Sequence, residues 1–181
     1  MRPDWKHIVQ QDWTLFLDRD GVINRRIVDG YVTSWDTFEF LPGVMEALEV
    51  FGQLFRHIIV VTNQQGVGKG LMTLSQLDAI HDHMRAAIEA HSGCAIDDIL
   101  VCPQLASVPG NYRKPSPVMA YQAQERFPDI DLCKAIMVGD GQNDIEFGHN
   151  AGTRTVFIGG VNPAADDSFP SLIDFANLLK P

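Results

Sequence analysis

Four short groups of polar residues hold the reactive chemistry in this sequence. Asp18-Arg19-Asp20-Gly21 sets two carboxylates two residues apart with a glycine behind them. Thr62-Asn63-Gln64 brings a hydroxyl and two amides, Arg113-Lys114-Pro115 brings two cations, and Gly139-Asp140 brings a third carboxylate with Asp144 four residues on. Gathered in one place, Asp18, Asp20 and Asp140 would repel one another and require a cation. Ligands that are all oxygen favour a hard ion, and Mg²⁺ commonly takes one or two carboxylates, several waters and a substrate phosphate. Such a site suits phosphoryl transfer, in which positioning and charge neutralisation supply most of the catalysis. A free carboxylate beside the metal can attack phosphorus and form an aspartyl-phosphate. A second carboxyl two residues on can protonate the leaving oxygen and later take a proton from water.

Each group taken alone has an ordinary reading. An Asp at a strand end is usually a helix cap or a solvated loop residue, and Thr-Asn is more often a turn. Asp140 and Asp144 suit a helix N-terminus through the macrodipole. The functional reading rests on all four occurring in order, each following a strand-like run. Other patterns fail. Gly66-Val67-Gly68-Lys69-Gly70 looks like a phosphate loop, but that loop needs glycine at Asn63 and Ser or Thr at Gly70. It is expected to be a flexible turn over the site, with Lys69 facing an anionic substrate. His81 and His83 lie two apart on a helix and cannot share a face, so they are expected to be solvated or partly buried bystanders.

Positioning these groups requires a sheet. Thr14-Leu15-Phe16-Leu17, Ile58-Ile59-Val60-Val61, Ile99-Leu100-Val101, Ala135-Ile136-Met137-Val138 and Thr155-Val156-Phe157-Ile158 are apolar runs of strand length. They lack polar alternation, which suits a parallel sheet buried on both faces. Helix patterns lie between them. Val44, Leu48, Phe51 and Phe55 recur at helical spacing after Pro42. Thr73-Leu74-Ser75-Gln76 is a capping box opening a helix with Leu77, Ile80, Met84 and Ile88 on one stripe, ending at Gly93. Ser116-Pro117 reads as an N-cap and first helical residue, and Ser171 to Lys180 as a last helix. The alternation implies an α/β, doubly wound, Rossmann-like parallel sheet, with ligand beyond the C-terminal strand ends.

The 181 residues suffice for one domain, taken as 1–181, and are too few for two ordinary ones. A net charge of −9 argues against a general nucleic-acid binder. No run approaches the roughly 18 apolar residues of a membrane span, and Met1 to Lys6 hold no signal-peptide stretch. Cys94, Cys102 and Cys133 form no disulfide framework or complete zinc site. The expectation is a cytoplasmic monomer acting on a small phosphorylated metabolite.

Phe16-Leu17-Asp18-Arg19-Asp20-Gly21-Val22-Ile23-Asn24 resembles the first motif of the haloacid dehalogenase superfamily. Gly30-Tyr31-Val32, Phe38-Glu39-Phe40, Pro42-Gly43-Val44, Val60-Val61-Thr62-Asn63-Gln64, Arg113-Lys114-Pro115 and Val138-Gly139-Asp140 narrow the likeness. They point to the branch that acts on heptose bisphosphates and histidinol phosphate. The resemblance implies Asp18 as nucleophile and metal ligand, and Asp20 as general acid/base that gives the metal its backbone carbonyl. It implies Thr62 and Lys114 on the transferring phosphoryl group, Asp140 as the other metal ligand and Asp144 in support. Val28, Asp29, Gly30, Tyr31, Asn63, Gln64 and Arg113 would contact substrate, with Mg²⁺ as cofactor and no large cap domain. A sugar phosphate such as heptose 1,7-bisphosphate leads, with Arg25, Arg26, Lys69 and Arg113 as candidates for a second phosphate. The alternatives are a histidinol-phosphate phosphatase or a phosphate-binding protein with little turnover. A receiver domain is disfavoured, because its phosphate-accepting Asp follows the third strand, where this chain has Cys102-Pro103.

The sequence departs from the branch in two places. The usual zinc pattern is Cys-x-His, a spacer, then Cys-x-Cys before Arg-Lys-Pro. Here Cys102 remains, while Gln104, Gly110 and Tyr112 hold the other three places. Gly141 stands where the heptose enzymes tend to have Lys. One ligand of four does not close a structural zinc site, so the loop is expected to rely on Pro103, Pro109 and packing of Leu105, Val108 or Tyr112. Elemental analysis after metal-free dialysis should find no stoichiometric zinc. About one zinc per chain, with anomalous scattering beside Cys102, would contradict this.

Overall fold

The computed structural model describes residues 3–9 and 11–180; Met1, Arg2, Gln10 and Pro181 lie outside them. Six strands form one parallel sheet in the order β3-β2-β1-β4-β5-β6. They are β1 (Thr14–Leu17), β2 (His57–Asn63), β3 (Asp98–Cys102), β4 (Ala135–Gly139), β5 (Arg154–Ile158) and β6 (Asp167–Phe169). The helices are α1 (Trp5–Ile8), α2 (Val44–Leu54), α3 (Gln65–Gly68), α4 (Leu74–Ser92), α5 (Val118–Arg126), α6 (Gln142–Ala151) and α7 (Leu172–Leu179).

Continuous apolar strands bury both faces. On one face Leu15, Leu17, Ile58, Val60, Ile136 and Val138 join Ala47, Leu48 and Phe51 of α2, Met84 and Ile88 of α4, and Phe175 of α7. On the other, Phe16, Ile59, Val61 and Met137 meet Met119 and Ala123 of α5 and Phe147 of α6. Successive strand residues point to opposite faces, so one residue's shift in register would exchange the two cores.

The capping box forms as read. Thr73 Oγ1 accepts from Gln76 N at 3.1 Å, and Gln76 Oε1 accepts from Thr73 N at 2.8 Å. Gly93 ends α4 at φ 67°, a left-handed conformation that glycine adopts freely. Several expectations need correction. Pro117, not Ser116, is the N-cap of α5, and no side chain caps it. Phe55 follows α2 as its C-cap in extended backbone. The glycine-rich stretch is not a flexible turn: Gln65–Gly68 forms the single turn of α3, with Lys69 just after it. β6 was not expected. Asp-Ser-Phe has no apolar run to mark it, and it holds by pairing with β5 from Val156↔Asp167 to Ile158↔Phe169.

Phe51 is fully buried, with ring centroids 5.7 Å from Phe55 and 5.8 Å from Phe175. Phe51→Ala should lower unfolding free energy by about 3–5 kcal/mol, read from urea midpoints at unchanged m-value. A loss below about 1 kcal/mol would show that the α2–α7 packing is not integral to this core.

Candidate active site

Parallel register brings the four polar groups to one edge. Leu17 pairs with Val60 and with Val138, so Asp18, Val61 and Gly139 emerge side by side. Strand order reverses direction at β1, between β2 and β4, and such switch points leave a crevice. An open cavity of about 490 Å³ lies there, lined by Asp18, Asp20, Asn63, Lys114 and Asp144 from the strand-end groups, and by Arg26, Tyr31, Lys69 and Arg113 around them.

The Lys114 ammonium is the hub. It donates to Asp18 Oδ1 at 2.8 Å and Val61 O at 2.8 Å, and lies 2.6 Å from Asp144 Oδ1. Burial opposes its charge, but the Asp144 and Asp18 carboxylates outweigh burial and raise its pKa above the ordinary lysine value. Asn63 holds the Lys114 backbone: its Oδ1 accepts from Lys114 N at 2.9 Å, and its Nδ2 donates to Lys114 O at 3.1 Å. Asp144 also accepts from Gly141 N at 3.0 Å, closing the first turn of α6.

Asp18 is buried, and its pKa is pushed up to about 7 by burial and the nearby Asp144 charge, against Lys114. Asp140 is pushed up to about 6, chiefly by burial, against the Arg26 guanidinium. Asp18, Asp140 and Asp144 each offer an oxygen within 4.8 Å of the others. Arg26 Nη2 lies 2.6 Å from Asp140 Oδ1, 3.2 Å from the Asp20 carbonyl and 4.0 Å from Asp18 Oδ2. One cationic group thus already draws oxygens of Asp18, Asp20 and Asp140 around it. The all-oxygen set fits a hard divalent ion, with Asp18, the Asp20 carbonyl and Asp140 as holders. Gly21, at φ 94°, packs so closely on the Asp140 carboxylate that a Cβ there would collide with it.

Asp20 faces inward. Arg19 Nη2 donates to both its oxygens at 2.9 Å, Asn24 Nδ2 donates at 2.9 Å and Gln64 Nε2 at 2.7 Å. Burial pushes the Asp20 pKa up, but Arg19 and the amide donors prevail and hold it below the usual carboxylate range. Gln64, expected to meet substrate, instead spends its amide on Asp20 and on Thr62 Oγ1 at 2.9 Å, and is buried. Asp29, Gly30, Tyr31, Asn63 and Arg113 line the cavity; Val28 does not, and its side chain is 84% exposed. Of the second-phosphate candidates, Arg26, Lys69 and Arg113 line it, whereas Arg25 pairs with Glu39 at 2.9 Å on the surface. Lys69 also stands 5.1 Å over the Tyr31 ring.

His81 is no bystander. It is buried on α4, and its Nε2 lies 3.0 Å from Arg19 Nη1. The residue after Asp18 carried no signal that its side chain would turn inward, so this contact was not foreseen. Exposed His83 stacks on Trp35 with centroids 5.4 Å apart.

The loop after β3 is tied by hydrogen bonds. Gln104 Oε1 accepts from Tyr112 N at 3.1 Å and lies 3.9 Å from Cys102 Sγ. Tyr112 donates its hydroxyl to Val101 O at 3.2 Å, and Asn111 Nδ2 reaches Val108 O at 2.8 Å. Leu105 packs by Gly68 and Tyr112 joins the core, while Val108 is 38% exposed.

Comparison with known proteins follows the same lines. Residues 111–173 match the HAD-hydrolase-like family. A D-glycero-alpha-D-manno-heptose-1,7-bisphosphate 7-phosphatase of Mycobacterium bovis is 43% identical over 171 residues, covering 91% of this chain and 90% of that protein. A protein of the same name from Burkholderia mallei is 39% identical, covering 80% of this chain and 78% of that one. Among solved structures, the D,D-heptose 1,7-bisphosphate phosphatase of B. bronchiseptica, complexed with magnesium and phosphate, superposes with a TM-score of 0.83 at 30% identity. It covers 92% of this chain and 97% of that one.

Lys114→Met should leave Asp18 and Asp144 buried without their cation, costing about 3–5 kcal/mol at pH 8. A carboxyl whose folded pKa lies above its unfolded value gains relative stability as pH falls between the two. Without the ammonium the folded pKa of Asp18 rises above the value of about 7 that it has beside Lys114, so the variant gains more than the unaltered protein as pH falls and the deficit should shrink from pH 8 to pH 5 in urea titrations. A deficit that is constant with pH would show that Lys114 does not carry this balance.

Proposed function

The chain belongs to the haloacid dehalogenase-like hydrolases and is a phosphatase of that family, and on that premise we propose that it hydrolyses a sugar phosphate, D-glycero-D-manno-heptose 1,7-bisphosphate, with Mg²⁺. The observation that carries this is the convergence of Asp18, Lys114 and Asp140 at one sheet edge, where Asp18 and Lys114 line a cavity also lined by Arg26, Lys69 and Arg113. A bisphosphate needs cations at two places, and Lys69 and Arg113 offer them outside the reacting centre. The names of the relatives support the same substrate. The protein is proposed to act as a single-domain cytoplasmic monomer; among the described residues no helix is long and apolar enough to cross a membrane.

In the proposed reaction Asp18 attacks phosphorus, the bond from phosphorus to the sugar oxygen breaks, and Asp20 gives that oxygen a proton. Asp20 then takes a proton from water, whose oxygen attacks phosphorus. The bond to Asp18 breaks, releasing inorganic phosphate. Mg²⁺, when bound, neutralises phosphoryl oxygens and the carboxylates around it. Lys114 favours the ionised form of Asp18 against burial and the Asp144 charge, and adds positive charge beside the transferring group. Thr62 Oγ1 accepts from Gln64, which leaves its hydroxyl hydrogen to donate to a phosphoryl oxygen. The free protein holds Asp20 as a carboxylate, the form needed to take a proton from water. In the first step Asp20 takes up a proton from solvent as substrate binds and passes it to the leaving oxygen, with the Arg19 fork keeping its carboxyl at the cavity.

A panel of phosphorylated metabolites assayed with Mg²⁺ tests this reading. The heptose bisphosphate should give the highest kcat/KM, and chelator should abolish turnover until Mg²⁺ is restored. Asp18→Asn should lower kcat by about 10⁴-fold or more without loss of fold. Preference for histidinol phosphate would overturn the substrate, and full rates in excess chelator the metal. An active, folded Asp18→Asn protein would overturn the nucleophile.

A further inference from the structure

His81 takes no part in the steps above, yet it sits two contacts from the reacting groups. The ring is 5% exposed and lies within the apolar stripe of α4. Arginine has no acceptor, so the contact between His81 Nε2 and Arg19 Nη1 at 3.0 Å requires a bare Nε2, with the ring proton on Nδ1. Burial and the Arg19 charge push the His81 pKa down to about 3, which keeps the ring neutral. Arg19 is fully buried, and its Nη2 meets both Asp20 oxygens at 2.9 Å. A guanidinium is rigid and planar, so pinning Nη1 fixes where Nη2 points.

We propose that His81 is a positioning residue that acts through Arg19, fixing the guanidinium against Asp20 as a neutral acceptor while leaving its whole charge to that carboxylate. The chemistry of the position is restrictive. A carboxylate at 81 would share the Arg19 charge and draw the fork away from Asp20. An apolar ring would leave Nη1 buried with no acceptor and free to turn. Asn24 and Gln64 hold the same carboxylate from other sides, so losing His81 loosens Asp20 rather than releasing it.

The inference rests on the acid/base reading of Asp20, and the test separates the two. Initial rates are measured with Mg²⁺ on a sugar phosphate, whose leaving oxygen needs a proton, and on an activated aryl phosphate, whose leaving oxygen needs little help. The ratio of the two kcat values does not depend on how much of a preparation is folded. His81→Phe should depress the sugar-phosphate kcat about tenfold more than the aryl-phosphate kcat, with KM within about twofold. His81→Gln, which restores an acceptor, should return the ratio to that of the unaltered protein. His81→Glu should shift it as Phe does, which keeps the test alive if the Phe variant fails to fold. Asp20→Asn serves as the reference. If Asp20→Asn shifts the ratio and neither His81→Phe nor His81→Glu does, or if Gln fails to restore it, the role of His81 is overturned and that of Asp20 stands. If Asp20→Asn leaves the ratio unchanged, both fall.

Discussion

The site depends on where one ammonium group places its three hydrogens. Lys114 Nζ is fully enclosed and reaches Asp18 after β1, the Val61 carbonyl on β2 and Asp144 on α6. None of these groups tolerates burial alone: an unpaired ammonium or carboxylate in the interior would lose its charge or unfold its surroundings. Their assembly is possible because parallel register sets Asp18, Val61 and Gly139 side by side. It is completed because Asn63, on β2, grips the Lys114 backbone from both sides. Sheet register, loop path and the first turn of α6 are thereby coupled at a single atom. Even so, carboxylates outnumber this cation at the strand ends. The surplus falls on Asp18 and Asp140, the groups whose pKa values rise and which face the place suited to a divalent ion.

The loop between β3 and Lys114 carries hydrogen bonds at places where the resemblance would put a metal clasp. The resemblance assigns four zinc positions, and three of them, Cys102, Gln104 and Tyr112, still meet through the Gln104 amide. A structural zinc ion contributes about 10–16 kcal/mol to folding its peptide, whereas a hydrogen bond adds a net of roughly 0.5–1.5 kcal/mol. One amide therefore cannot stand in for the ion. Order in the loop draws on several contacts at once: Tyr112 to Val101, Asn111 to Val108 and Ala106, and the Gln65 side chain to Ala106 N. The last of these comes from α3, which also packs Gly68 under Leu105. The glycine-rich stretch that resembled a phosphate loop thus braces the neighbouring loop and delivers Lys69 to the cavity.

Much of this was legible because burial writes itself as uninterrupted apolar runs. Five strands could be read from such runs, and the four polar groups became meaningful only as their continuations. β6 escaped because its order comes from pairing and from the loop before it, not from its own composition. The inward network escaped for a related reason. Arg19 and His81 are residue types usually found in solvent, and sequence spacing does not tell which way a side chain turns. Gln64 belongs with them. It sits in a motif tied to substrate, yet its amide is consumed by Asp20 and Thr62. A buried polar group must find its partners inside the protein, and partners sixty residues apart, such as Arg19 and His81, leave no local trace.

Burial divides the site into two parts with different freedom to change. Asp18, Thr62, Lys114 and Asp144 are each under 9% exposed and bonded to one another or to nearby backbone and amides. Altering any of them disturbs its neighbours, because each bond satisfies a group that has no access to water. The wall that would meet the rest of the substrate is built otherwise. Ile27 is 36% exposed, and Asp29 holds a positive φ of 53° in a tight turn. Tyr31 and Lys69 contact each other across the cavity wall rather than through the core. Residues of this kind can be exchanged at little cost to stability. On the proposed function, the bond-breaking chemistry would be fixed by the sheet edge, and the choice of phosphate ester would rest with the segment from Arg26 to Val32 and with Lys69 and Arg113.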